Sequence, residues 1–350
     1  MGESVAGADP AAAGPYLAGV LGDPAWADCV ITLISGGKSN LTYDVRSPAG
    51  RVVLRRPPLG HVLPTAHDMA REHRVIAALA GTAVPVPAAL HLCTDPAVLG
   101  APFQVMEFVE GPVVRDVLPE GYAPDPASRL AITEGLIGTL AALHAVVPAE
   151  VGLEGFGRPD GYLGRQVARW SKQWAATPGA DSAELTALAT DLAAALPVSG
   201  PGCVVHGDFR IDNTVLDPAV PGRIAAVLDW EMSTLGDPLA DLGLLLVYWA
   251  QDGDDPVRRA AARGSQVTTL AGFPGRERVA QLYGEASGRA TGALPWYVAF
   301  GFFKLAVVVA GVAARHRAGA MLGPGFEGIE TALDPLVTLG RRTLRTGEIG

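Results

Sequence analysis

VVHGDFRIDNTVLD (204–217), followed across PAVPGR by IAAVLDWE (224–231), is the stretch whose reading decides how this chain folds. The β-branched and apolar runs at 214–216 and 224–228 flank a turn built on proline and glycine, so the pattern predicts a hairpin. Folding that hairpin back is expected to set Asp229 beside Asn213, and Asp208, Asn213 and Asp229 then form a group of three oxygen-bearing side chains. Phosphoryl transfer calls for such a set. A carboxylate must orient the attacking hydroxyl, and hard oxygen ligands must hold the magnesium that bridges the nucleotide phosphates.

Upstream, short β-rich runs at 29–35, 41–46 and 51–56 are separated by SGGKSN and SPAG, which reads as a three-strand meander. The stretch AHDMAREHRVIAALAG carries apolar residues at Met69, Val75, Ile76 and Leu79 and a stop at Gly81, so a helix is expected there. AALHLC and FQVMEFVEG add two further strands. From Pro112 onward the pattern changes to long Ala/Leu segments, with helices expected at 126–146, 160–174, 181–196, 238–250 and 276–287 and in a C-terminal pair. The change falls near Glu110 and Gly111, so the expected domains are a nucleotide-binding lobe, 1–110, and a helical lobe, 111–350, carrying the catalytic loop and substrate site.

HGDFRIDN resembles the HGDxxxxN catalytic loop of the aminoglycoside phosphotransferase and choline kinase family, and LDWE resembles its metal-binding segment. The resemblance runs from about Ser35 to Trp249. It implies an α+β, two-lobed, protein-kinase-like fold: a five-stranded antiparallel sheet plus helix in the small lobe, and a larger, mostly helical C-terminal lobe. It also implies ATP and Mg2+ as cofactors. Asp208 would be the base that takes the proton of the substrate hydroxyl, Asn213 would bind one magnesium, and Asp229 would bind magnesium between the phosphates. Asp241 would brace the catalytic loop from the apolar run LGLLLVYW, where an unpaired carboxylate is costly. Asp237 before Pro238 reads as a helix N-cap. His206 reads as a loop-orienting residue, since no second histidine lies near it in sequence to complete a metal site.

In the small lobe, GGKS (36–39) imitates the end of a Walker A loop, but Thr32 stands where the first glycine belongs and a strand follows instead of a helix. As a turn between strands, with Ser35, Gly36, Gly37 and Ser39, it suits a lid whose amides approach nucleotide phosphates; an ordinary hairpin turn is the competing reading. VVLR (52–55) resembles the kinase strand that carries a phosphate-binding lysine, with Arg55 in its place. Strand alternation lets only one of Arg55 and Arg56 face the cleft, and Arg55 is chosen because Val53 then lines the adenine site. Glu72 is the expected ion-pair partner of Arg55, against a solvated surface position as the alternative. VMEFVEG (105–111) resembles the family's hinge, with backbone groups at Glu107 and Phe108 meeting the adenine edge.

The formal charge of -9 argues against a nucleic-acid partner, and 49% hydrophobic with 18% charged residues reads as a helix-rich globular protein. Cys29, Cys93 and Cys203 lie far apart and suggest neither a disulfide framework nor a zinc site, so a reducing, cytoplasmic compartment is expected. The first fourteen residues show no secretory signal and read as a loose tail. YVAFGFFKLAVVVAGVAA (297–314) is about the minimum spanning length, but Lys304 near its middle favours a buried helix over a membrane partner.

The substrate is expected to be a small molecule with a free hydroxyl. VVLRRPPLGHVLPTAHDMAREHRV with GDFRIDN and VLDWEMSTLGDPLADL looks most like the family branch fused in animals to acyl-CoA dehydrogenases, which implies a hydroxyacyl-CoA alongside an aminoglycoside-like compound. The apolar helix after Pro238, with Tyr248 and Trp249, suits an acyl chain. QDGDDP (251–256) offers acids to a polycation, although such runs are more often solvated loops. The alternative of another class is a catalytically inactive kinase fold that binds nucleotide or serves as a scaffold.

Overall fold

A computed structural model of the chain describes residues 5–35, 40–59, 67–179, 181–261, 266–319 and 328–350. They form an α+β fold in two compact units, Met1–Glu110 with Leu228–Glu231, and Gly111–Val227 with Met232–Gly350.

The first unit is built on five antiparallel strands: β1 (Val30–Ser35), β2 (Leu41–Ser47), β3 (Gly50–Arg56), β4 (Ala89–Cys93) and β5 (Phe103–Glu107), in the spatial order β1-β2-β3-β5-β4. Alternation along β3 sends Val52, Leu54 and Arg56 to one face and leaves Arg51, Val53 and Arg55 on the other. The first face packs with Tyr43, Val45, Phe103 and Val105 into a core that α1 (Pro10–Leu21) also enters.

That helix corrects the expectation of a loose N-terminal tail. Asp9 caps it by accepting from the Ala11 amide, Pro10 holds its first position, and Ala13 and Leu17 are fully buried. Gly14 and Pro15 weaken the helical pattern, yet Gly14 is needed: a Cβ there would lie 2.6 Å from the Ala27 carbonyl. Burial against the sheet therefore decides what propensity alone does not. Helix α2 (Met69–Leu79) is capped by Asp68 and buries Met69, Glu72, Val75, Ile76 and Leu79, next to β4 and β5. A one-turn helix, α3 (Pro96–Leu99), joins β4 to β5.

The second unit contains the expected helices α4 (Pro126–Ala145), α5 (Tyr162–Ala175), α6 (Ala183–Ala194), α7 (Pro238–Tyr248), α9 (Arg276–Ser287), α10 (Leu294–Arg317) and α11 (Leu333–Thr346), with a short α8 (Pro256–Ala261) between α7 and α9. The predicted hairpin is present as β7 (Thr214–Leu216) paired with β8 (Ile224–Val227). A second ribbon pairs β6 (Cys203–Val205) with β9 (Thr234–Gly236), and it holds both ends of the segment between them. Helix α10 is long and apolar enough to cross a membrane, but 83% of its most apolar stretch is buried within the protein, against α5, α6, α7 and α11. It is a core helix, as Lys304 suggests. The three cysteines are free and buried.

Candidate active site

In the second unit the segment after β6 carries Asp208 in a tightly held loop. Asn213 Nδ2 donates both to the Asp208 carbonyl, at 2.8 Å, and to Asp208 Oδ2, at 3.0 Å. Arg210 Nε reaches the same carboxylate oxygen at 3.3 Å, while its Nη1 reaches Asp212 at 2.5 Å and its guanidinium lies 4.8 Å from the centre of the Tyr248 ring. The Asp208 side chain keeps 25% of its surface exposed, so its carboxylate is oriented by neighbours but open to a hydroxyl. Gly207 has φ +85°, and a Cβ there would come within 2.6 Å of the Met232 carbonyl, so glycine is required just before the acid.

Asp241, on the first turn of α7, holds this loop from behind. Its two oxygens accept the amides of His206, at 2.6 Å, and Gly207, at 2.8 Å, while His144 Nε2 donates to it at 3.2 Å and accepts in turn from Tyr283 through Nδ1. Burial opposes its ionisation, but these donors outweigh burial and hold the carboxyl below its ordinary range. His206 plays the expected orienting part, its Nδ1 accepting from the Asp208 amide at 3.2 Å. Asp237 caps α7 and accepts from the Tyr297 hydroxyl. Asp241→Ala would strand two loop amides and His144 in a buried place. It is expected to cost roughly 3 to 5 kcal/mol, seen as a lower Tm, together with a fall in kcat; unchanged melting would remove Asp241 from this role.

In the first unit Arg55 and Glu72 form the expected ion pair. Arg55 Nε lies 3.0 Å from Glu72 Oε1, Nη1 donates to Thr42 Oγ1 at 3.3 Å, and Nη2 contacts Asp229 Oδ1. Glu72 is 1% exposed, and burial pushes its carboxyl up to about 6 against the pull of Arg55. Asp229 sits at φ +66°, a backbone region that aspartate tolerates better than most residues and that clusters at functional positions. Glu231 accepts from Asn40 at 3.0 Å.

Arg56 points the other way, as alternation requires, but it is buried. It donates to the carbonyls of Gly7 and Leu99, each at 2.6 Å, and of Pro57. The contrast between neighbours is therefore sharper than strand register alone predicts. Arg55→Ala is expected to raise KM for ATP at least about tenfold and to destabilise the first unit, because Glu72 loses its partner. Arg56→Ala is expected to leave that KM near the wild-type value while lowering Tm by the cost of unpaired carbonyls, roughly 2 to 4 kcal/mol. Equal KM defects in the two variants would contradict the assignment.

Other expected positions fall out unevenly. Val53 is half-buried on the Arg55 face, and Met106 is its partner across the sheet. The Glu107 amide is already donated to the Ala88 carbonyl, and its side chain accepts from the Ala88 amide, so that N–H is withdrawn from any adenine edge. Phe108 is covered by Arg51, whose guanidinium lies 3.3 Å from the ring centre while also pairing with Asp44 and Glu110. Gly36, Gly37 and Ser39 lie outside the described residues, as does the Ser35 side chain. Sequence reasoning passed over Arg51 and Asp44, whose meeting depends on strand register, and His144 and Tyr283, which come from distant helices.

Asn213 in the second unit and Asp229 in the first, each taken by itself, offer an oxygen of the kind a hard divalent cation takes. Asn213 spends its amide nitrogen on Asp208 and so has its oxygen to offer, and Asp229 spends one carboxylate oxygen on Arg55 and has the other. Among the described residues no group of three or more His, Cys, Asp or Glu is arranged to hold a metal. A few protein oxygens completed by phosphate and water suit magnesium, which dehydrates reluctantly.

A sequence profile of the phosphotransferase enzyme family matches residues 30–282. The chain belongs to that family. This phosphotransferase is 36% identical over 323 residues to rat acyl-CoA dehydrogenase family member 11, covering 90% of this chain and 41% of the relative, so it spans about two fifths of that protein's length. A solved protein of Ralstonia eutropha JMP134, classed as an aminoglycoside phosphotransferase, superposes with a TM-score of 0.78 at 31% identity, covering 96% of this chain and 98% of the other. Aminoglycoside phosphotransferase APH(4)-Ia, solved with AMP-PNP and hygromycin B, shares the fold, with a TM-score of 0.60 at 16% identity over 95% and 98% of the two chains. The protein-kinase-like fold and the small-molecule kinase class follow from the family and these neighbours.

Proposed function

We propose that this phosphotransferase moves the γ-phosphoryl group of ATP to a hydroxyl of a small molecule, with Asp208 as the base. The observation that carries the reading is the arrangement of Asp208, one quarter exposed and held by Asn213 through both its carbonyl and its carboxylate. Asp208 aligns the acceptor hydroxyl and takes its proton as the new phosphate ester forms. Asn213 and Asp229 are assigned as magnesium ligands, and Arg55, held by Glu72, as the phosphate contact of the small lobe. Bound Mg-ATP supplies the phosphoryl group and the cation that neutralises its charge. The complex of the structural neighbour with AMP-PNP and hygromycin B supports a nucleotide and a hydroxylated acceptor.

For the acceptor, the state of the acidic run is informative. Asp254 is taken by Arg276 at 2.6 Å, and Asp255 caps α8 and pairs with Arg342 at 2.6 Å, which leaves Asp252 as its one exposed and unclaimed acid. A polycation therefore finds little there, and an uncharged or anionic hydroxyl compound suits this surface better. Kinship with acyl-CoA dehydrogenase family members supports a hydroxyacyl thioester. The test is magnesium-dependent ADP release across aminoglycosides, macrolides, choline, homoserine, sugars and hydroxyacyl-CoAs. Release with a hydroxyacyl-CoA and not with aminoglycosides is expected, and the reverse would overturn the acceptor assignment. Nucleotide-dependent stabilisation with no turnover on any of them would point to a binding module.

A further inference from the structure

The chain has 24 arginines and three lysines, Lys38, Lys172 and Lys304. Lys304 is placed in the middle of the apolar core helix α10, where an arginine would be the commoner choice in this sequence. Its Nζ donates to the Gly207 carbonyl at 2.8 Å, one residue from the base, and lies 5.5 Å from the centre of the Trp170 ring on α5. Arg169, exposed, holds its guanidinium 5.8 Å from the same ring.

This corner of the second unit has more donors than acceptors. Lys304 brings three N–H groups, of which the Gly207 carbonyl takes one, and among the described residues no carboxylate lies within ion-pair distance of it. Trp170 is 5% exposed, and its indole Nε1–H is buried with no hydrogen-bond partner. The carboxylates of the neighbouring loop are engaged elsewhere: Asp208 with Asn213 and Arg210, Asp241 with His206, Gly207 and His144. A desolvated ammonium with no carboxylate in direct ion-pair contact and a buried indole N–H without an acceptor each cost free energy that an incoming anion would recover. Burial shifts the Lys304 pKa downward, and the nearby charges of Asp208 and Asp241 offset that burial only in part.

We propose that Lys304, with the Trp170 indole N–H and Arg169, forms an oxyanion subsite beside the catalytic base, made for a phosphate or carboxylate group. The inference rests on the kinase reading for its purpose but on these donors for its existence. Two sources can present the oxyanion: an anionic group of the acceptor itself, or the phosphoryl group in transfer. Either favours an anionic hydroxyl compound in this corner over a polycation, which would meet cations.

The binding test uses the full chain and inorganic phosphate. Lysines are acylated with acetic anhydride at fixed ionic strength, with chloride as the control salt, and the modified peptides are quantified by mass spectrometry. Phosphate is expected to slow modification of Lys304 about fivefold or more while exposed Lys172 on α5 reacts unchanged, and Trp170→Phe should weaken the protection. Equal modification of Lys304 in phosphate and chloride overturns the subsite, whether or not an acceptor has been found.

Kinetics separate the sources. With an acceptor from the ADP-release panel, Lys304→Met is expected to raise KM for the acceptor about tenfold at constant kcat if the acceptor brings the anion. It should lower kcat at constant KM if the transferred group is the ligand. Lys304→Arg, which keeps the charge, should retain more activity than Lys304→Met in either case. Because Lys304→Met replaces a desolvated cation by an apolar chain, its Tm should match or exceed that of wild type. Unchanged kinetics, or a fall in Tm accompanied by equal losses in ATP and acceptor binding, would mean that Lys304 only supports the loop.

Discussion

Asp208→Asn is expected to lower kcat by roughly 100- to 10,000-fold while nucleotide affinity stays within a few fold of wild type. The substitution keeps the shape of the side chain and an oxygen that can accept from Asn213, so the loop geometry survives. What is lost is the proton acceptor and the negative charge that Arg210 and Asn213 now orient. Because Asp241 holds the loop through the amides of His206 and Gly207, the variant should fold with a Tm near that of wild type. Rapid-quench or steady-state kinetics with an active acceptor measure the effect, and activity within a few fold of wild type would remove Asp208 from the role of base.

Asp229→Ala is expected to abolish measurable turnover and to weaken Mg-ATP binding by about a hundredfold, read by calorimetric titration with and without magnesium. Two losses combine. The carboxylate oxygen available to a cation disappears, and Arg55 loses one of its three anionic partners while keeping Glu72 and, at 3.7 Å, Glu231. The residue also leaves a positive-φ position that alanine tolerates less well than aspartate, so a modest fall in stability should accompany the loss of function. A variant that binds and uses Mg-ATP with wild-type magnesium dependence would contradict the assignment of Asp229 as a ligand.

The local signals in the sequence were strongest where backbone and chemistry coincide. The β7–β8 hairpin, the alternation that separates Arg55 from Arg56, and the Asp237 cap with Pro238 all rest on short spacings, and each is present; the contact of Asp241 with the loop, 34 to 35 residues away, was expected from the family resemblance alone. The pairing of Arg55 with Glu72 is likewise present, across a strand and a helix whose types were both legible. What escaped depends on tertiary packing. Helix α1 looked like a tail because Gly14 and Pro15 break its pattern, and only burial on the sheet reveals why the chain is ordered there. His144 and Tyr283 reach Asp241 from α4 and α9, and no sequence spacing brings them together. Lys304 was legible as a reason against a membrane span. Its contact with the catalytic loop was not, because it depends on how α10 packs.

The most direct test follows phosphorus by 31P NMR in a mixture of enzyme, magnesium, ATP and the acceptor panel. The account predicts a phosphomonoester resonance growing in step with ADP for one class of hydroxyl compound, no such resonance without magnesium, and none above background with Asp208→Asn. Conversion of ATP to ADP and inorganic phosphate alone across the panel, or an ester formed equally well by Asp208→Asn, would contradict it.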